Sequence, residues 1–285
     1  LWGSDALGGV VSFNTLSPRD LLRDENFYSG YKLGYSSADN SKVGTVTIAG
    51  ASGSLSTMFL GTLRNGEETE NNAAQGSEFG SNRTDPDEQD IKSRNVTAKI
   101  DWDLPADQNL TLTLDSYKNE TDTKIFSDYA TVVYGSIINS REAVDERDRS
   151  RFALRYELQS PKLFIDNAVV NIYRQDSESE QRMVESRTPP PYIFNQSRNR
   201  DSIFEQKIVG ANAQLSSIFL TKSSSHTVTY GIDYYKSTSE SIRDGRTTDA
   251  RGNPVPESGL PTRDFPKTEV ENLAFFIQNE IDLLD

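Results

Sequence analysis

Apolar and polar residues alternate one for one through much of this chain. Val96, Ala98, Ile100 and Trp102 interleave with Thr97, Lys99, Asp101 and Asp103. Leu110, Leu112 and Leu114 interleave with Thr111, Thr113 and Asp115. The same period recurs at Phe152, Leu154, Tyr156 and Leu158, at Val228, Tyr230, Ile232 and Tyr234, and at Leu273, Phe275 and Ile277. Strict alternation over four to eight residues places all apolar side chains on one face of a strand. No helical period of comparable length competes with it, so the expected fold class is all-β.

The polar face carries Lys99, Asp101, Asp103, Arg155, Glu157 and Asp233. Ionised groups in the dry interior of a sandwich would pay a large desolvation cost. They are compatible with a water-filled lumen whose strands turn Leu, Phe and Ile outward to lipid. A soluble antiparallel sheet with one solvated face would show the same alternation. Loop lengths separate the two readings. Short links lie near residues 50–55, 104–109, 160–167 and 221–226. Long polar stretches at 65–90, 120–148, 179–201 and 241–267 alternate with them. A first strand pair, near 28–35 and 42–48, is joined through Ser37-Ala38-Asp39-Asn40. Alternating short turns and long loops are the pattern of an outer-membrane barrel. About ten strands are expected by this count.

Composition then excludes whole classes. The formal net charge is -13 over 285 residues, so a nucleic-acid partner is not expected. Cysteine is absent, which removes disulfides, thiolate metal sites and cysteine nucleophiles. No stretch approaches the roughly 20 apolar residues of a membrane helix, and mean hydropathy is -0.63. Twelve Tyr and 13 Phe argue against a wholly disordered chain. The opening Leu1-Trp2-Gly3 and the closing Leu283-Leu284-Asp285 read as the ends of a fragment, with a targeting segment upstream.

The first residues narrow the class further. Gly3-Ser4-Asp5-Ala6-Leu7-Gly8-Gly9-Val10-Val11 precedes the first strand, with Trp2 before it. This run resembles the end of the plug domain in TonB-dependent outer-membrane receptors, with Trp2 in place of the usual Tyr. Ser17-Pro18-Arg19-Asp20-Leu21-Leu22 is similar to the plug-to-barrel linker of the haem and haemoglobin branch. Gly34-Tyr35-Ser36, Arg64-Asn65-Gly66 and Phe275-Phe276-Ile277-Gln278 resemble barrel strands of the same branch. The resemblance implies a partial transmembrane antiparallel β-barrel. Residues 1–24 would form the plug end and linker, and residues 25–285 the first part of a larger plugged barrel. It further implies active uptake of an iron-bearing ligand, with haem or haemoglobin favoured and a ferric siderophore as the alternative. TonB, acting through an upstream segment, and outer-membrane lipid with lipopolysaccharide would be the other partners. A passive porin and a soluble β-rich binding module are the rival classes. Neither an enzyme activity nor a resident cofactor or metal is expected.

Several residues with chemical potential also admit plainer roles. His226, the single histidine, is of a type that ligates haem iron, but it adjoins a short turn on the expected periplasmic side. Thr84-Asp85-Pro86-Asp87-Glu88-Gln89-Asp90 offers oxygen ligands without EF-hand spacing, and reads more simply as a solvated acidic loop. Asp145 and Glu146 are adjacent carboxylates, which an extended chain points to opposite faces. Arg187-Thr188-Pro189-Pro190-Pro191-Tyr192-Ile193-Phe194 is a proline-stiffened outer loop, and Tyr192 and Phe194 are its candidate ligand contacts. Tyr134, Tyr234 and Tyr235 are candidates for interfacial aromatic girdles.

Overall fold

The computed structural model describes residues 15–71, 78–159, 165–191, 194–257, 259–263 and 265–283. A short helix α1 (Pro18–Leu22) leads into twelve strands: β1 (Phe27–Ser36), β2 (Ser41–Ser52), β3 (Leu55–Glu67), β4 (Glu88–Leu104), β5 (Gln108–Lys124), β6 (Val132–Val133), β7 (Ser136–Gln159), β8 (Asn167–Thr188), β9 (Gln196–Leu220), β10 (Ser224–Asp249), β11 (Pro254–Val255) and β12 (Thr268–Leu283). They form one antiparallel sheet in which each long strand pairs with the next along the chain. The two-residue strands β6 and β11 pair with β7 and β10 near hairpin tips. Among the described residues β1 and β12 each pair on one side only, so the sheet is open.

The short links fall where the sequence places them. Between β2 and β3 the chain turns through Gly53 and Ser54, and Ser52 pairs with Leu55. Gly53 has φ 60, the positive value that a primed two-residue hairpin demands at its first central position. Pro105, Ala106 and Asp107 close the β4–β5 turn above the Leu104–Gln108 pair. Helix α1 is capped at Ser17: its hydroxyl accepts from the Asp20 N–H at 3.3 Å, and Asp20 accepts from the Ser17 N–H at 2.8 Å. Pro18 at the first helical position costs no hydrogen bond there.

The long polar stretches differ from expectation. Residues 120–148 and 179–201 are mostly strand, not loop: β5 runs to Lys124, β8 to Thr188, and β9 starts at Gln196. The alternation fades there because neither face is apolar, yet the backbone ladder continues in register. Backbone hydrogen bonding and cross-strand polar pairs sustain a sheet without a hydrophobic face. A strand of 24 residues such as β7 rises about 80 Å, or about 60 Å when tilted as in a barrel.

Residues paired in an antiparallel register share a face. One set of contacts therefore assigns the whole sheet. Leu22 of α1 is buried against Ala49 of β2 and Met58 of β3, and Lys99 Nζ donates to the Thr15 carbonyl at 3.1 Å. These mark the inner face. On the other face stand Leu33, Phe275 and Ile277, 79%, 72% and 78% exposed. Each such side chain forgoes about 1.5–3 kcal/mol of burial if water is its neighbour. Leu114 lies on that face and is exposed as well, while Leu110 and Leu112 on the same face are half-buried.

Candidate functional site

The inner wall is built from strands whose inward positions hold hydroxyls, amides and arginine. Every arginine of β7 points inward: Arg141, Arg147, Arg149, Arg151 and Arg155 occupy one parity, with Glu142, Glu146 and Asp148 on the other. Arg149 pairs with Asp115 at 3.0 Å and lies 5.9 Å from the Tyr117 ring centroid. Arg151 lies 5.8 Å over the Tyr173 ring, an attraction between cation and ring quadrupole. Arg155 donates to Glu157 at 2.6 Å, and Asn171 donates to Asn212 at 2.7 Å. Near the short-turn end, Arg19 of α1 pairs with Asp103, beside a cavity of about 450 Å³ lined by Thr15, Lys99, Asp101 and Arg155.

Toward the hairpin tips the inner wall holds a denser group. Glu185, 1% exposed, accepts from Arg141 Nε at 3.0 Å, and Asp128 pairs with the same guanidinium. Arg200 binds both oxygens of Glu257 at 2.7 Å. Burial is the largest influence on the Glu257 carboxyl and pushes it up, but hydrogen bonds from Arg200 and Thr247 together with the charges of Arg200 and Arg198 leave the group below its ordinary value. Arg198 is lowered from the ordinary guanidinium value by burial first, then by the charges of Arg200 and Arg187.

The outer face at the same height is richly acidic and self-paired. Lys118 lies 2.9 Å from Glu146 and 3.5 Å from Asp148, and Arg182 lies 3.0 Å from Glu146 and 2.8 Å from Glu180. Asp145 instead faces inward and accepts from Gln181 at 2.9 Å. Adjacent carboxylates thus stand on opposite faces, as extended geometry requires.

Other residues singled out in the sequence take their places as follows. Gly3, Ser4, Asp5, Ala6, Gly8, Gly9 and Tyr192 lie outside the described residues. Phe194 stands in the short β8–β9 connection and is 68% exposed. His226 follows the turn at the opposite end, where Ser224 Oγ lies 3.0 Å from its Nε2 and Asn279 Nδ2 lies 3.3 Å from its Nδ1. It is remote from the hairpin tips. Asp87 of the acidic loop accepts from the Ser127 N–H and hydroxyl at 2.9 and 2.7 Å, and among the described residues no acidic or imidazole cluster could hold a metal. The tyrosine girdle needs correction. Tyr134 sits in the β6–β7 turn, 95% exposed, and Tyr235 faces inward opposite Gly210, so only Tyr234 remains on the apolar face. The arginines at 187, 198 and 200 fall in stretches where the sequence predicts loop. The alternate spacing of Arg198 and Arg200, with that of Arg147, Arg149 and Arg151, is the signal the sequence offers for them.

No protein-family profile matches the chain. It is 31% identical over 188 residues to the hemoglobin and hemoglobin-haptoglobin-binding protein of Haemophilus ducreyi, covering 64% of this chain and 19% of that protein. Against hemoglobin-haptoglobin-binding protein A of Haemophilus influenzae it is 30% identical over 185 residues, covering 61% and 17%. The chain is a homologue of haemoglobin-binding proteins. This bears out the resemblance to the haem and haemoglobin branch of the TonB-dependent receptors. The homologue spans about a fifth of the length of these curated relatives. Its fold is similar to the ferric yersiniabactin uptake receptor FyuA from Yersinia pestis, with TM-score 0.50, 12% identity, and coverage of 91% of this chain and 40% of that one. The open antiparallel sheet thus has the fold of part of such a barrel, and the relatives named are binding proteins and a receptor.

Proposed function

We propose that the chain is the front part of a TonB-dependent outer-membrane receptor, which takes up haem from haemoglobin or its haptoglobin complex. The homology to haemoglobin-binding proteins carries this reading. The two faces of the sheet support it: exposed Leu, Phe and Ile suit lipid, and the arginine-bearing wall suits a wet lumen. The outward apolar band of such barrels is about 25 Å tall, so β7 to β10 extend far above it. Their acidic and basic outer residues would lie against lipopolysaccharide, and their tips would meet the ligand.

The receptor reading is favoured over a passive porin by the contacts of Thr15 and Leu22 on the inner wall. Residues 1–24 are proposed as the plug end and linker, with Gly3, Ser4, Asp5, Ala6, Gly8 and Gly9 as the plug's sequence signature. Residues 25–285 are proposed as barrel. Energy supplied through TonB would move the plug and release the ligand inward, so the protein would act as a transporter and not an enzyme. Tyr192 and Phe194 are proposed to touch the haem protein at the tip. The test is growth of the parent bacterium on haemoglobin as sole iron source. Loss of growth on deleting either this receptor or TonB, with the receptor in the outer-membrane fraction, is expected. Unimpaired growth, with binding of a ferric siderophore alone, would turn the assignment to the siderophore alternative.

A further inference from the structure

Beyond β12, the upper half of β10 is flanked by a returning segment, of which residues 250–257, 259–263 and 265–267 are described. Thr247 pairs with Val255, and Arg243 and Thr262 exchange backbone hydrogen bonds at 2.8 Å. From this returning segment Glu257 reaches over β10 to Arg200 on β9. Gly245 makes the crossing feasible: a Cβ there would stand 3.0 Å from Arg200 Cδ and overlap the Asn199 carbonyl. Arg187 on β8 comes within 3.8 Å of Glu257 and 3.9 Å of Glu185 without hydrogen-bonding either. The Nε atoms of Arg187 and Arg198 are buried and unpartnered among the described residues. Guanidinium donors here outnumber the acceptors offered to them. Glu185 sits within the sheet, held by Arg141, whereas Glu257 sits on a segment attached only along one edge.

We propose that Arg187, Arg198 and Arg200 form a carboxylate-binding site on the inner wall, which Glu257 fills until a carboxylate of the incoming ligand displaces it. The adjoining cavity, about 710 Å³, is lined by Met183, Pro256 and Leu260 as well as by Arg198 and Arg200. That size falls in the range of small-molecule sites. The rest of the lining is polar, with Gln181, Ser202 and Arg243 among it; three apolar side chains beside guanidiniums fit an amphiphilic organic anion better than inorganic phosphate, and bidentate guanidinium recognition suits a planar carboxylate. The inference rests on the haem-uptake reading to the extent that a haem, with its carboxylate arms, is such an anion. Displacing Glu257 would leave this segment held by the Thr247–Val255 pair, the Arg243–Thr262 backbone bonds and the Arg263–Glu240 ion pair at 2.9 Å, so ligand entry and loosening of the segment would be coupled.

The full-length receptor in detergent is titrated with haemin, haemin dimethyl ester and ferric citrate. Glu257→Gln removes the competing charge and is expected to tighten haemin binding, and the double change Arg198→Met with Arg200→Met to weaken it, each by roughly tenfold. The dimethyl ester should respond to neither. Unheated electrophoretic mobility verifies that each variant barrel is folded, and Glu257→Gln alone suffices if the double variant is not. Haemin binding of unchanged strength in folded Glu257→Gln overturns the site and leaves haem uptake standing. Wild-type protein that binds neither haemin nor ferric citrate overturns both.

Discussion

Lys99 on β4 spans the gap between the barrel wall and the segment that precedes it, donating from Nζ to the Thr15 carbonyl at 3.1 Å. Lys99 is 8% exposed, so the bond is shielded from water. Lys99→Met keeps the stem and removes the donor. A hydrogen bond to a charged group contributes about 1.5–3 kcal/mol, enough to loosen the segment on the wall. Faster proteolysis near residue 15 and higher ion conductance in planar bilayers are expected for the full receptor. Conductance equal to wild type would argue that Thr15 is held by other contacts.

Leu112 and Thr113 are neighbours on β5 whose side chains point to opposite faces. Arginine at a lipid-facing midplane position costs about 2–4 kcal/mol, while lumen positions tolerate it. Leu112→Arg is expected to reduce the heat-modifiable folded fraction strongly, and Thr113→Arg to leave it near wild type. Equal losses in both would contradict the assignment of faces.

Gly231 and Gly210 look alike in sequence but sit in different surroundings. A Cβ at Gly231 would overlap the Ala213 carbonyl and stand 2.6 Å from the Phe276 ring. At Gly210 the obstacle is the Tyr173 ring end, 2.5 Å away, which can swing aside. Gly231→Ala should therefore destabilise by about 1–3 kcal/mol, visible as a lower denaturation midpoint in urea. Gly210→Ala should cost less and show chiefly as a changed Tyr173 environment. The reverse order would refute the packing described for β9, β10 and β12.

The strap made by Glu257 depends on pH in a definite direction. Its folded value is depressed, so its contribution is fully present above the ordinary glutamate range. It is lost as pH falls through the lowered folded value. Residues 250–263 are expected to stay protected from proteolysis at pH 6 and pH 5, with release only below the ordinary glutamate range. Glu257→Gln should reduce that transition and leave the part owed to Asp249, whose carboxyl is also held down by hydrogen bonds from Asn253 of the same segment. A variant with an undiminished transition would place the titration elsewhere.

Much of this was legible in the chain itself. Period two assigned Leu110, Leu112 and Leu114 to one face and Thr111 and Thr113 to the other, and the register agrees. Short turns such as Gly53-Ser54 announced themselves through residues suited to their backbone angles. The same rule failed in residues 120–148 because it detects a contrast between faces. Above the apolar band both faces are polar, and the strand persists through backbone pairing that no side-chain pattern reports.

The first inference, an all-β chain with one apolar face, thus follows from sequence alone, since side chains alternate with the two-residue period of the strand. Homology then supplied the receptor branch. What tertiary structure decided is which polar residues meet. Arg200 and Glu257 are 57 positions apart, and Arg141 and Glu185 are 44 apart. Their meeting depends on strand register and on the path of one returning loop. Those are set by the sum of many weak pairings along the ladder, and no single residue encodes them.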